Sequence, residues 1–517
     1  MLYRKTTIQR HPVNLCANAL ALALVVGLPL FMPNGYVKLP EEKFRYLWAC
    51  VAVGVVVLAA AFVVGRGRRR ERRQFELSWL WPVGLCLCYT VAWLFAEDRY
   101  TALWGISQRK NGLMLYLACT AAFLMIAVLS GRELADAVEK TLLATGCTVT
   151  ALSWMNDWML DPLDAYYTFL PETGDRFLGT IGNINFFGAF LCLCVPFAVW
   201  RYLYGPKSGV AGRYAVALLL CSGLIAAGSD AAWLGCAAAV FLICQNKKTT
   251  TRNLSRLFGL GAGLALWGLG TGLLTNFFPL RSEPRTLSAL LCMPAAALVL
   301  AVGFAAAAWG LHRVRERPAA LAVRVAGGIA VAAAAAAFLA ANLLPECPGF
   351  LTALHFDEGW AANRGYAWQR LWVVYTEDTT LFQKLFGLGG DAVAQRLNPD
   401  LESTYYMILL NGEAFDSAHN EFLQHLVCGG VFGLVCWCGF LAAAVWKGLK
   451  NNPPLGAAVA AYAVQSFFSI SMPGVFPLVF VLAALAGESR KPSGSVKELV
   501  PCTALIAFSA AFLLNFF

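Results

Sequence analysis

The sequence predicts an all-α, polytopic transmembrane helical bundle with one large extracytoplasmic loop that contains an amphipathic helix. Three observations predict it. Of 517 residues, 59% are hydrophobic and only 14% are charged. Apolar runs long enough to cross about 30 Å of hydrocarbon recur from end to end. The long polar stretch 344–418 interrupts them late in the chain.

Taken in order, the apolar runs give about 13–15 spans. They lie near 13–32, 45–65, 76–95, 113–130, 141–160, 184–204, 211–227, 229–245, 257–278, 287–311, 322–344, 419–446, 455–470, 474–488 and 498–516. The first is too long for a cleavable leader, and Pro33-Asn34-Gly35 after it offers no small-residue cleavage site. The pairs around Gly228 and Pro473 are compatible with full spans or re-entrant segments. Four units follow: a bundle of about 11 spans over 1–343, the outer loop 344–418, helices closing over it at 419–488, and a connector with a last span at 489–517. The connector is rich in Gly, Ser and Pro (Gly487, Ser489, Pro492, Ser493, Gly494, Ser495), as a flexible linker is.

Basic residues set the orientation. With a cytoplasmic N-terminus, alternate loops collect the run Arg66 to Arg73, then Lys247, Lys248, Arg252 and Arg256, then Arg313, Arg315 and Arg317. About 27 of the 40 Lys and Arg then face the cytoplasm, as the positive-inside rule expects. This asymmetry accounts for the net charge of +10 without nucleic acid, for which neither a recognised fold nor interleaved aromatics are found. The 344–418 loop falls on the opposite side. Most of the 17 cysteines lie inside spans, where they act as small apolar residues, and no disulfide framework or metal cluster is indicated. The span interiors read as almost free of ionisable residues, with Asp157 and Asp230 at outer ends. A proton-coupled pump usually carries carboxylates at mid-membrane, so polar function is expected at the outer loops instead.

Four outer segments carry candidate chemistry. In Asp175 to Phe190, Arg176 precedes a Gly-Thr-Ile-Gly-Asn turn, and Asn183 and Asn185 open the next span. A guanidinium beside a helix N-terminus suits an anion; equally, an interfacial arginine can snorkel while the asparagines cap. In Asn363 to Asp378, Trp368, Leu371, Trp372 and Tyr375 recur at helical spacing, an amphipathic helix able to lie on a membrane. Arg364 shares the Trp368 side, Arg370 points elsewhere, and Phe386-Gly387-Leu388-Gly389-Gly390 breaks the helix. In Asp416 to Leu434, Asp416 or Ser417 is expected to cap the next helix, placing His419 in its first turn and keeping it neutral. His425, on another face, is read as packing. Arg109 and Lys110 precede a span in Leu103 to Leu117, as does the Arg281/Arg285 pair in its short loop, and both read first as interfacial cations.

Together these segments resemble the O-antigen ligase and O-antigen polymerase superfamily. The resemblance is carried by Arg176-Phe-Leu-Gly-Thr with Gly182-Asn183-Ile184-Asn185, by Arg364-x3-Trp368 before Phe386-Gly387-Leu388-Gly389, by Ala418-His419-Asn420 with Gly430 eleven residues after the histidine, and by LWGISQRKNG before the fourth span. It implies a GT-C-like membrane glycosyltransferase that draws a sugar chain from undecaprenyl pyrophosphate, without a nucleotide sugar, a cofactor or an essential metal. The acceptor it implies is a hydroxyl of a glycan, lipid or protein. Carried over, Arg176 and Arg364 match the family's functional arginines and His419 its loop-end histidine. The resemblance implies a diphosphate-binding role for the arginines, with Arg109 and Arg370 as further candidates, and a catalytic role for His419 with Arg364. Asn183, Asn185, Asn420 and Gly430 are expected to support the site. Two positions depart from the family pattern: Asp230 stands where many members carry arginine, and Cys428 where the late helix often has glutamate. The competing expectations are a polyprenyl-glycan transporter or flippase, and an inactive scaffold for envelope assembly, the latter motivated by Asp230.

Overall fold

The computed structural model describes residues 12–64, 75–130, 133–166, 177–397 and 415–488. Arg176, the arginine run 66–73, most of the 487–497 connector and the run 498–516 lie outside them. The architecture is all-α. In chain order the helices are α1 (Pro12–Leu30), α2 (Leu39–Val64), α3 (Leu80–Leu94), α4 (Arg99–Trp104), α5 (Leu113–Leu129), α6 (Leu134–Asp157), α7 (Ile184–Tyr204), α8 (Val210–Ala227), α9 (Asp230–Cys244) and α10 (Thr251–Leu274). They continue as α11 (Thr286–Cys292), α12 (Pro294–Arg313), α13 (Ala320–Leu343), α14 (Trp360–Glu377), α15 (Leu381–Phe386), α16 (Val393–Leu397), α17 (Glu421–Asn451), α18 (Pro453–Ser466) and α19 (Phe476–Leu485). Two short antiparallel strands, β1 (Phe177–Leu178) and β2 (Gly182–Asn183), pair Phe177 with Asn183 just ahead of α7.

Local chemistry sets the helix ends. Gly228, in the left-handed region at φ 55°, closes α8 two residues before α9 begins. Thr250 and Asn253 form a reciprocal capping box on α10. Prolines open α12 and α18, where a missing N–H costs nothing. Every expected apolar run up to residue 488 contains a helix, but the run 287–311 is broken at Met293-Pro294 into α11 and α12. Among the described residues nine helices are long and apolar enough to cross a membrane, and α5, α9 and α19 are shorter apolar helices.

The core centres on α7, which is almost wholly buried and packs against α8, α9 and α18. The α1–α2 hairpin closes one side with α5 and α6, and α17 lies between α3 and α18. α12 and α13 present apolar residues outward (Val299, Val302, Leu321, Ile329, Val331), as lipid-facing helices do.

Buried charged groups sit at the ends of the expected spans. Lys43 is fully buried, donating to the carbonyls of Leu28 (2.6 Å) and Pro29 (3.2 Å) at the end of α1. Glu139 of α6 is buried against Arg201 of α7, and Glu421 of α17 is buried against the Tyr462 hydroxyl at 2.8 Å. Each such group is held by a fixed partner, as burial of charge requires.

The amphipathic helix is present, with its inward stripe shifted. Ala367, Leu371 and Val374 of α14 are buried, while Trp372, expected on that side, is 57% exposed.

Candidate functional site

Two glycine-rich segments far apart in sequence build the floor of the site. α17 is kinked at Gly430, whose φ 69° and ψ −174° are open only to glycine. The kink releases the carbonyls of Val427 and Cys428, and the backbone N–H groups of Leu388 and Gly389 take them at 3.0 and 3.1 Å. Each buried carbonyl left open would cost about 1–3 kcal/mol. The two backbones approach so closely that a Cβ on Gly387 would overlap the Cys428 carbonyl, and one on Gly430 the Leu385 carbonyl. Phe386-Gly387-Leu388-Gly389 and Cys428-Gly429-Gly430 are therefore two halves of one joint.

From that joint the chain runs to Asp391, which is 1% exposed. One of its oxygens, Oδ2, accepts the backbone N–H groups of Ile106 and Asn111, each at 3.0 Å. This closes the Gly105–Asn111 loop like a ring, and Asn111 is tied further to the Ser471 carbonyl at 3.1 Å. Burial pushes the Asp391 carboxyl up to about 6, against the opposing pull of the two amides and Arg109. Sequence reasoning missed Asp391; its place after Gly389-Gly390 was the only signal.

The ring presents Arg109, whose Nε and Nη2 donate to Asp416 Oδ2 and Oδ1 at 2.7 and 2.9 Å, a bidentate pair. The guanidinium also stands over the Phe186 ring, 5.5 Å from its centroid. Asp416 Oδ1 lies 4.0 Å from His419 Nε2 and accepts the Ser417 hydroxyl at 3.0 Å. Burial raises the Asp416 carboxyl, but Arg109, with His419 and Ser417, outweighs it and holds it below the ordinary carboxylate range.

His419 does not occupy the first turn of α17. The N-cap is Asn420, whose side chain accepts from the Leu423 N–H at 3.0 Å, and the helix starts at Glu421. His419 precedes it at φ 46°, a left-handed conformation that a histidine holds only when its surroundings enforce it. They do: the Trp368 indole donates to the Ala418 carbonyl at 2.9 Å, and the Ala418 N–H donates to Gln424 Oε1 at 2.9 Å. The expectation failed because Asp416, Ser417 and Asn420 are all good caps, and tertiary contacts decide among them. The imidazole is nonetheless neutral, held down to about 3 by burial and by the charges of Arg109 and Arg364, against the pull of Asp416. Its side chain remains 30% accessible.

Arg364 is thus within electrostatic reach of His419. Ala361, Ala362 and Asn363 all adopt positive φ, turning the chain just before it, and its Nη1 donates to the Ala361 carbonyl at 3.2 Å. Burial lowers its pKa from the usual guanidinium value. Arg370 shares none of these contacts among the described residues. Residues 286–438 match the O-antigen ligase family. This segment is an O-antigen ligase domain. It runs from α11 into α17 and carries Arg364, Arg370, His419, Asn420 and Gly430, while Arg109 enters from outside it. No curated protein matches the chain. With nine helices among the described residues long and apolar enough to cross a membrane, the chain is a multi-pass membrane protein whose segment 286–438 is similar to the O-antigen ligase family.

Of the other residues singled out in sequence, Asn183, Asn185 and Asp230 lie outside the matched segment and His425 lies inside it. Asn183 caps α7, accepting from the Asn185 N–H at 2.9 Å, and Asn185 Oδ1 accepts the Ser229 hydroxyl at 3.1 Å. His425 is buried, its Nδ1 3.0 Å from the Tyr89 hydroxyl and its ring against Trp437. Asp230, the departure from the family arginine, accepts the Thr286 hydroxyl and, at 3.4 Å, the Leu287 N–H, so it caps α11.

Proposed function

We propose that this protein transfers or polymerises glycan from undecaprenyl pyrophosphate onto an acceptor hydroxyl at the outer face of the cytoplasmic membrane. The observation that supports it most is the convergence of Arg364 and the Arg109–Asp416 pair on a neutral His419 at the mouth of α17. In this reading the acceptor oxygen attacks the anomeric carbon and the bond from that carbon to the phosphate oxygen breaks. Its electron pair leaves with the diphosphate, which gains one negative charge. The hydroxyl proton passes to His419. Attack opposite the leaving group inverts the anomeric centre.

Each part has a physical role. Guanidinium groups in a water-poor cleft stabilise charge developing on the leaving phosphate, and neutral imidazole can take a proton. Arg364 is the best-placed donor ligand because, unlike Arg109, it has no carboxylate in ion-pair range among the described residues. Arg176 is proposed as a further diphosphate contact on the strength of the resemblance alone. In this reading 344–418 is the extracytoplasmic catalytic loop and 419–488 the transmembrane helices that close the site. Guanidinium, rather than a metal ion, neutralises the leaving group in this scheme. The scaffold reading loses its motive, because capping α11 accounts for Asp230.

The test is a deletion strain complemented with variants. Wild type should restore the missing surface glycan, and Arg364→Ala or His419→Ala should not, although both reach the membrane. Full restoration by either variant would remove the enzymatic reading.

A further inference from the structure

The Arg109–Asp416 pair is built with more precision than a diphosphate ligand needs. Both Asp416 oxygens are occupied by the fork, at 2.7 and 2.9 Å, so Arg109 is already neutralised at rest. Its loop is locked by Asp391 and its guanidinium is flanked by Phe186. On the other side of the pair, Asp416 Oδ1 lies 4.0 Å from His419 Nε2, too far for a hydrogen bond and close enough for a strong charge effect. Among the described residues, the charged groups acting on His419 are Arg109 from the Gly105–Asn111 loop, Arg364 from α14 and Asp416 from its own turn. The nearest carboxylate on α17, Glu421, is engaged by Tyr462. Lys110 faces Glu41 at 3.9 Å. Among the described residues, with no anion bound, two positive charges and one negative act on the imidazole.

We propose that Arg109 and Asp416 form a charge pair that makes His419 a base only once the diphosphate is bound. The inference rests on the glycan-transfer reading. A bound pyrophosphate diester brings two negative charges to Arg364 and the free face of Arg109. The sum around His419 then changes from positive to negative, and the imidazolium formed as the acceptor loses its proton becomes tolerable, with Asp416 alongside it. Asp416 is a positioning residue acting through His419, and Arg109 tunes it. The arrangement protects the activated sugar: without donor in place no acceptor or water is deprotonated, and donor binds first.

The experiment is the pH dependence of transfer by the full-length protein in liposomes, with a polyprenyl-pyrophosphate-linked oligosaccharide as donor. The acidic limb of kcat, which reports the donor-bound site, should lie at higher pH than that of kcat/KM for the donor, which reports the free site. Asp416→Asn removes a negative charge, so it should slow kcat at least ~10-fold and move the kcat limb down by about one pH unit. Arg109→Gln removes a positive charge and should move it up. Arg109→Lys, which keeps the charge without the fork, should leave the limb near the wild-type position even if Asp416→Asn fails to fold. Coincident wild-type limbs, or limbs that stay put or shift in the same direction in the two charge-removing variants, overturn the proposal. If wild type transfers nothing, the glycan-transfer reading falls first and this inference with it; turnover with unmoved limbs removes the inference alone.

Discussion

Asp391 shows how a single side chain can organise a site it does not enter. Its Oδ2 collects two backbone amides from a loop some 280 residues earlier in the chain, while the buried Oδ1 has no hydrogen-bond partner among the described residues. Such a carboxylate is ionised at a cost. Burial raises it to about 6, against about 3.9 in an unfolded chain. The folded state thus holds the proton more tightly, so the group's contribution to stability is complete below about pH 4 and is lost as pH rises through about 6. Asp391→Asn escapes that loss, and its melting temperature relative to wild type should climb between about pH 4 and about pH 6.5. A difference that stays flat over this range would contradict the assignment. Gly430→Ala tests the neighbouring joint. A side chain at φ 69°, ψ −174° is strained and would meet the Leu385 carbonyl, so a loss of about 2 kcal/mol or more is expected, read as a lower melting temperature in detergent.

At the scale of elements, α11 and α17 illustrate what sequence can and cannot convey. Asp230 reads in sequence as a lost arginine; in the fold it is the acceptor at the start of α11. Asp230→Ala should therefore cost about 1 kcal/mol of stability and leave glycan transfer within about twofold of wild type. Loss of transfer with unchanged stability would return Asp230 to the chemistry. The apolar helices were legible because a run of about 20 residues must cross hydrocarbon whatever its partners. Arg364 and His419 could be singled out in sequence because each sits in a short local pattern, while their roles remain those of the proposed function. The kink of α17 was only half legible: Gly429-Gly430 announces a break, but not that Leu388 and Gly389 would satisfy the freed carbonyls. The Arg109–Asp416 pair, separated by 307 positions, left no local trace, and neither residue's meaning is visible without the other. The cap of α17 went to Asn420 because contacts from α14 hold Ala418 and His419 outside the helix.

Across the whole molecule, the account requires the O-antigen ligase domain to open on the outer face. Cys347, in the loop between α13 and α14, is a natural reporter. In spheroplasts a membrane-impermeant maleimide should label it, and Cys347→Ser should remove that label; labelling only after permeabilisation would invert the topology. The bundle then serves as a frame: α7 and α18 fix the core, α14 is laid against the start of α17, and Arg109 is brought in from the fifth helix's entry loop to meet Asp416. The most direct measurement is glycan transfer by the purified protein in liposomes, supplied only with a polyprenyl-pyrophosphate-linked oligosaccharide and an acceptor. Wild type should release polyprenyl pyrophosphate and glycosylated acceptor in equal amounts. His419→Ala should fall by about 10²–10⁴-fold, and Arg364→Ala by at least ~10²-fold. Undiminished turnover in both variants would contradict the account.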